Sequence, residues 1–365
     1  MSDLKNNYCV IMAGGVGSRF WPVSRTERPK QFIDILGVGK TLIQLTFERF
    51  KKICPPENVF VVTNAIYKDL VLEQLPELTE NQVLCEPSMR NTAPCVAYAN
   101  YKIHEINPDA LVVVAPSDHI ILKEDVFVND INSALRAAAQ NDSLITLGIK
   151  PSRPDTGYGY IQYLEESISG TIPDIKKVKT FTEKPNLEIA QSFLASGDFL
   201  WNSGIFIWSL KSIMDAFKQL LDDVDSLFAK GVRKYNTPEE KEFIEETYAV
   251  CKNISIDYGI MEKANNVYVL PVDFGWSDLG TWGSLHTMRD KDEQANAVAG
   301  NNVLLYDTEN SIIRMPDSKL AVLQGLDGYI VVEDNNTLLV CRLEDEQKIR
   351  QFVHDVRLEK GEKFV

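Results

Sequence analysis

In the first 150 residues, short runs of Val, Ile and Leu alternate with longer segments of helical spacing. That alternation constrains the fold more than any other feature. Residues 8–13, 58–63, 82–86, 111–115 and 143–148 are apolar nearly throughout, as strands of a parallel sheet must be when both faces are covered. Helical segments at 42–52, 92–106 and 125–140 lie between them, the first opened by a capping-box pattern, Thr41-x-x-Gln44. Strand and helix in repeated alternation predict βαβ units and a doubly wound, Rossmann-like α/β sheet. Further along, 158–163, 177–182 and 204–208 read as strands, and 187–195, 212–221 and 238–250 as helices. After about residue 290 the character changes: apolar pieces at 303–306, 312–315, 320–323, 329–332 and 338–341 recur about every nine residues, with Asn, Asp and Gly between them. That spacing predicts a small β-rich domain or short β-solenoid, ended by an amphipathic helix over 344–359. The expected division is an α/β domain over 1–288 and a β-rich domain over 289–365.

Composition narrows the function. With 38 Lys and Arg against 52 Asp and Glu, the net charge is −14, which disfavours nucleic-acid and anionic-membrane partners. No stretch approaches the roughly 18 apolar residues of a membrane span. The polar N-terminal residues 1–7 do not resemble a signal peptide. The 6 cysteines are scattered, with no CxxC pair and only 4 histidines beside them, so a zinc site is not expected and a reducing, cytoplasmic location is.

The most informative segment follows the first apolar run: Ala13-Gly14-Gly15-Val16-Gly17-Ser18-Arg19-Phe20-Trp21-Pro22, leading to Arg28-Pro29-Lys30. Glycines after a parallel strand let backbone N–H groups approach phosphate oxygens. A dinucleotide fingerprint fails because Phe20 stands where Gly or Ala is needed. A P-loop at Gly37-Val38-Gly39-Lys40-Thr41 fails because its first glycine would be Asp34; that stretch reads instead as a turn feeding a capped helix. Between Arg19 and Lys30, four cations (Arg19, Arg25, Arg28, Lys30) stand against one acid, Glu27. The local excess suggests a polyphosphate site, the alternative being a solvated basic loop.

The pattern G-G-x-G-x-R…P-K resembles the signature of sugar-1-phosphate nucleotidylyltransferases. Five further motifs follow in family order: Glu86-Pro87-Ser88-Met89-Arg90-Asn91-Thr92-Ala93-Pro94, Pro116-Ser117-Asp118-His119, Thr182-Glu183-Lys184-Pro185, Trp201-Asn202-Ser203-Gly204-Ile205-Phe206 and Trp276-Ser277-Asp278-Leu279-Gly280-Thr281-Trp282. Together they resemble the mannose-1-phosphate guanylyltransferases over about residues 8–290. The resemblance implies transfer of GMP from GTP to mannose 1-phosphate, releasing pyrophosphate, with Mg²⁺ as cofactor. Rival expectations are a relative using another sugar 1-phosphate or nucleoside triphosphate, or a catalytically silent paralogue that binds a nucleotide sugar. Longer relatives carry a cupin-like isomerase domain, and this chain is expected to lack that second activity.

That chemistry needs charge neutralisation and alignment more than a general base, since a phosphate monoester is already largely dianionic at pH 7. The resemblance assigns Arg19 and Lys30 to the triphosphate and the departing pyrophosphate, and Asp118 and Asp278 to the metal. Gly14, Gly15, Gly17, Glu86, Arg90, Asn91, Thr92 and Pro116 complete the expected nucleotide site, with Glu86 as reader of guanine. Asn91 or Thr92 could equally serve as a helix N-cap, Asp118 as a helix cap and Asp278 as an Asx-turn residue. Gly159, through its N–H, Glu183, Lys184 and Asn202 are expected to bind the sugar phosphate, Asn202 as both donor and acceptor. Ser255-Ile256-Asp257-Tyr258 is read as a cap outside the site. The small C-terminal domain buries too little surface to stand alone, and by resemblance a homodimer through it is expected.

Overall fold

The computed structural model describes residues 3–168 and 174–365, so Met1 and Ser2 of the polar N-terminal stretch lie outside the described residues. Packing groups the chain into two compact units. The first joins Met1–Gly14, Gln44–Ser117 and Ile121–Trp276; the second joins Gly15–Ile43, Asp118–Ile120 and Ser277–Val365. This spatial grouping and a linear division after residue 288 are different partitions of the chain.

The first unit is built on a nine-stranded sheet. In chain order its strands are β1 (Asn7–Met12), β2 (Val59–Asn64), β3 (Val83–Glu86), β4 (Leu111–Pro116), β5 (Leu144–Ile149), β6 (Tyr160–Ser167), β7 (Lys176–Thr182), β8 (Phe199–Ser209) and β9 (Val267–Val272). They lie in the order β3-β2-β1-β4-β8-β5-β9-β7-β6, with β8 also pairing β6. Strands β1 to β4 are parallel to one another, as are β5 and β9, while β8 runs antiparallel between β4 and β5. The sheet is therefore α/β but mixed. Residues 9–11 and 112–114 are almost wholly buried, which is why these strands read as unbroken apolar runs. The helices Thr92–His104, Glu124–Gln140 and Leu210–Leu220 cover the faces. Two short helices, Lys68–Gln74 and Asp222–Ala229, carry too few turns to show a period in the sequence.

In the second unit, strands β10 (Ala297–Ala299), β12 (Ile312–Arg314) and β14 (Tyr329–Asp334) pair in parallel, as do β11 (Val303–Tyr306) and β13 (Ala321–Gln324); β15 (Thr337–Arg342) closes antiparallel on β14. Parallel pairing of strands about 18 residues apart is the coil of a β-solenoid. The final helix, Ile349–Lys360, begins later than its amphipathic pattern suggests, after a 3₁₀ stretch at Leu343–Lys348.

Candidate active site

In the second unit the glycine loop from Gly15 and the turn over residues 277–280 meet at Lys30. Gly15 and Gly17 take positive φ of 84° and 68°, where glycine is the low-cost residue. A Cβ on Gly17 would also stand 2.6 Å from the Lys30 Cβ. Gly14 meets nothing within 4 Å, so its place rests on neither constraint. Lys30 is only 4% exposed. Its ammonium pairs with Asp118 Oδ2 at 2.8 Å and donates to the carbonyls of Asp278 at 3.1 Å and Leu279 at 2.8 Å, engaging all three of its protons. Leu279 has a positive φ of 44°, a strained conformation for a branched side chain. It turns its carbonyl onto the ammonium. Gly280 makes room beside it, because a Cβ there would stand 2.7 Å from Asp278 Oδ2.

Asp118 lies just beyond the end of β4. Burial alone would push its carboxyl up, but the charges of Lys30 and His119 outweigh burial and hold it below the ordinary value. The structure thus brings Lys30, Asp118 and the Asp278 turn together. Arg19 stands half-buried on the single 3₁₀ turn Ser18–Phe20 of the same unit. The apparent P-loop at residues 37–41 is explained by a different anion: the Asp34 carboxylate accepts from the N–H groups of Gly37, Val38 and Gly39 at 2.7, 3.0 and 2.7 Å. The nest is filled by the chain's own side chain.

In the first unit, Gly159, Glu183, Lys184 and Asn202 gather at the ends of β6, β7 and β8. A Cβ on Gly159 would collide with Glu183 Oε2, so glycine is what admits this carboxylate. The Glu183 side chain is 8% exposed and pairs with the adjacent Lys184, which is 60% exposed. The carbonyl of Gly159 accepts from Asn202 N at 2.8 Å. Asn202 Oδ1 accepts from Gly204 N at 3.1 Å and Thr146 Oγ1 at 3.0 Å, while its Nδ2 donates to Asp257 Oδ1 at 2.9 Å. Those partners fix the amide in one orientation, with two donors on its oxygen and one of its two N–H bonds given to Asp257. In the same unit Tyr158 packs edge to face with Trp201 and Trp276, at 4.9 and 5.3 Å.

Asp257 is the residue that sequence reasoning left out. Burial first, and then the charge of Glu183, push its carboxyl up to about 6. The capping expected of this motif exists, but it belongs to Ser255, whose Oγ accepts from Tyr258 N at 3.2 Å. A signal was available: helical spacing places Asp257 with buried Ile260 and Met261, and a carboxylate on an apolar face calls for a partner.

The motif at 86–94 is heavily used within the fold. Glu86 is 8% exposed; burial pushes its carboxyl up to about 7, partly opposed by the hydroxyl of Tyr248, which donates to Oε1 at 3.0 Å. Arg90 donates to the carbonyls of Tyr248 at 3.0 Å and Ala249 at 3.4 Å, near the end of helix Glu240–Val250. Asn91 caps helix Thr92–His104 through Thr92 N, and Thr92 Oγ1 accepts from Ile256 N. Pro116 ends β4. A groove of about 600 Å³ lies at the other end of the sheet, lined by Asn6, Asp109, Gln140 and Asp215 among others, and contains none of the expected site residues.

The family model described as Nucleotidyl transferase matches residues 8–295, and one described as MannoseP isomerase/GMP-like beta-helix domain matches residues 300–356. A mannose-1-phosphate guanylyltransferase of Escherichia coli is 34% identical over 96% of this chain and 75% of its own length. One of Sinorhizobium fredii is 38% identical over 94% of this chain and 66% of its own. The crystal structure of a mannose-1-phosphate geranyltransferase from Thermus thermophilus superposes with a TM-score of 0.86 at 27% identity, covering 96% of this chain and 99% of that one. The chain therefore belongs to the nucleotidyl transferase family, among the mannose-1-phosphate guanylyltransferases.

Proposed function

We propose that the chain transfers GMP from GTP to α-D-mannose 1-phosphate, with the residues around Lys30 serving the triphosphate and those around Glu183 serving the sugar phosphate. The observation that carries this reading is the Lys30 node, a buried ammonium bound to Asp118 and to the carbonyls of Asp278 and Leu279 beside a glycine loop. The Gly15–Gly17 backbone offers N–H groups to phosphate oxygens, and Lys30 with Arg19 opposes charge that gathers on the leaving pyrophosphate. Glu183 accepts from sugar hydroxyls, Asn202 donates its remaining N–H, and exposed Lys184 meets the sugar phosphate. Arg90, Asn91 and Thr92 hold the loop after Glu86 in place, so their part in nucleotide binding, like that of Pro116, lies in shaping the backbone.

Asp118 and Asp278 supply hard oxygen donors suited to Mg²⁺. Among the described residues no group of three or more His, Cys, Asp and Glu is placed to hold a metal ion. Two carboxylates completed by substrate phosphates and water are the usual magnesium arrangement, so the donor set fits. Bound there, Mg²⁺ would neutralise phosphate charge. A reducing, cytoplasmic setting suits the cysteines, all six of which are free thiols. Among the described residues no helix is long and apolar enough to cross a membrane.

Lys184→Ala tests the sugar side. It should raise the KM for mannose 1-phosphate by about tenfold or more, the worth of one charged hydrogen bond, and leave the KM for GTP nearly unchanged. A mutant weakened towards GTP alone would put the sugar on other residues.

A homodimer through the β-rich segment is also part of the proposal. Leu304 and Val322 sit opposite each other on the paired strands β11 and β13 and are 49% and 57% exposed, with Tyr306 exposed beside them. Contiguous apolar side chains of this kind mark contact surfaces. Sedimentation at micromolar concentration should give a dimer, and Leu304→Asp a monomer. A parent protein that sediments as a monomer contradicts this part.

A further inference from the structure

Arg25 belongs by sequence to the basic cluster beside the glycine loop, yet its guanidinium is committed elsewhere. Its Nε donates to the Pro22 carbonyl at 3.0 Å, Nη1 to the Lys363 carbonyl at 3.3 Å, and Nη2 to the Asp334 carbonyl at 2.9 Å and to Thr337 Oγ1 at 3.0 Å. Four of the five guanidinium protons are thereby used. Trp21, 6% exposed, donates its indole N–H to the Phe364 carbonyl at 2.7 Å, and Val365 is buried next to that carbonyl in the chain. Helix Ile349–Lys360 packs on the Ser18–Phe20 turn. All these contacts fall inside the second compact unit.

The same segment grips the glycine loop. Ser24 Oγ donates to the Val16 carbonyl, as does Lys30 N at 3.3 Å, and Gln31 Nε2 donates to the Gly15 carbonyl at 3.2 Å. A loop with two glycines at positive φ has little stiffness of its own. Its carbonyls must be fixed from outside if its N–H groups are to stay aimed at phosphate. The fixing residues sit between Trp21 and Gln31, a stretch whose backbone bonds, the Lys30 N–H to Val16 apart, are those of turns. Arg25 and Trp21 anchor that stretch to the solenoid and to residues 363–364.

We infer that Arg25 and Trp21 are positioning residues for the triphosphate, holding the glycine loop through residues 334–337 and 363–364 without touching the nucleotide. The β-rich segment is then part of the phosphate site's support. The inference rests on the reading that the glycine loop serves GTP.

The test compares Arg25→Ala, Arg25→Lys and Trp21→Phe in steady-state kinetics, with thermal melts on the same preparations. Arg25→Ala should raise the KM for GTP roughly tenfold, equivalent to about one lost hydrogen bond, and leave the KM for mannose 1-phosphate unchanged. Trp21→Phe keeps an aromatic ring and loses the N–H, and should shift the KM for GTP in the same direction by a few-fold. Arg25→Lys should behave like Ala, because an ammonium with three protons cannot reproduce a planar guanidinium spanning four acceptors. If Lys rescues Arg25 while Trp21→Phe is silent, Arg25 meets the triphosphate by charge and the inference is overturned. It is overturned equally if both substitutions lower the melting temperature and leave both KM values alone. Failure of the underlying reading looks different: Lys30→Ala would then leave GTP kinetics untouched as well, and the inference would fall with it.

Discussion

Replacing Lys30 with Ala should lower turnover by roughly 10²–10³-fold, as loss of one preorganised donor to developing charge does elsewhere. The structure adds a cost that a lysine on a Gly/Pro loop would not suggest. Its ammonium is buried and fully engaged, so removing it takes the ion-pair partner from the Asp118 carboxylate, itself 29% exposed, and a donor from the carbonyls of Asp278 and Leu279. Losing such a bond costs about 1–3 kcal/mol where the group left behind is buried and less where water reaches it. Lys30→Ala should therefore melt measurably lower than the parent as well as turn over more slowly. Lys30→Met keeps most of the stem's packing against the Gly17 backbone and separates the two effects. It should recover part of the stability and none of the rate, measured by pyrophosphate release and calorimetry on the same samples. Parental turnover in either variant would remove Lys30 from the site.

Glu86→Gln should remove a pH dependence of stability. The folded carboxyl is pushed up to about 7 by burial, against about 4.3 in an unfolded chain. Between those values the folded state binds more protons than the unfolded one, so stability falls as pH rises. The contribution is complete below about pH 4.3 and lost as pH climbs through 7. A shift of this size corresponds to at most roughly 4 kcal/mol. The substituted amide can still accept from Tyr248 and carries no charge to desolvate. The variant should match the parent near pH 4 and be the more stable of the two at pH 8. Asp257, pushed up to about 6, slopes the same way in both proteins. Equal stability differences at pH 4 and pH 8 would show that Glu86 does not titrate as described. If Glu86 also reads guanine, the variant should lose affinity for GTP while gaining stability at pH 8.

The parallel strands were legible because burial on both faces leaves no polar position: β1, β2 and β4 each fall within one residue of the apolar runs that announce them. Strand β8 was half visible. Gly204 to Trp208 reads as a strand, but Asn202 and Ser203 break the apolar pattern, Asn202 because its amide binds Thr146 and Asp257 and Ser203 because its hydroxyl accepts from Ile205 N. The glycines at 15 and 17 and the carboxylates at 118 and 278 were legible as motifs. What could not be read was which cations face a ligand. Arg25 and Lys30 contribute equally to a charge count, yet one sutures the solenoid to the loop and the other binds a carboxylate and two carbonyls. Only long-range contacts, more than 240 residues apart for Lys30 and Leu279, distinguish them. Asp257 was hidden for the same reason, since its partner Asn202 lies 55 residues away.

The central claim is the pairing of GTP with mannose 1-phosphate, and pyrophosphate release measures it directly. The purified protein would be assayed with Mg²⁺ against GTP, ATP, UTP and CTP, each with mannose 1-phosphate and glucose 1-phosphate. The account predicts the highest kcat/KM for GTP with mannose 1-phosphate, formation of GDP-mannose, and loss of turnover with EDTA. Faster release from another pair, or no release from any of them, would contradict it.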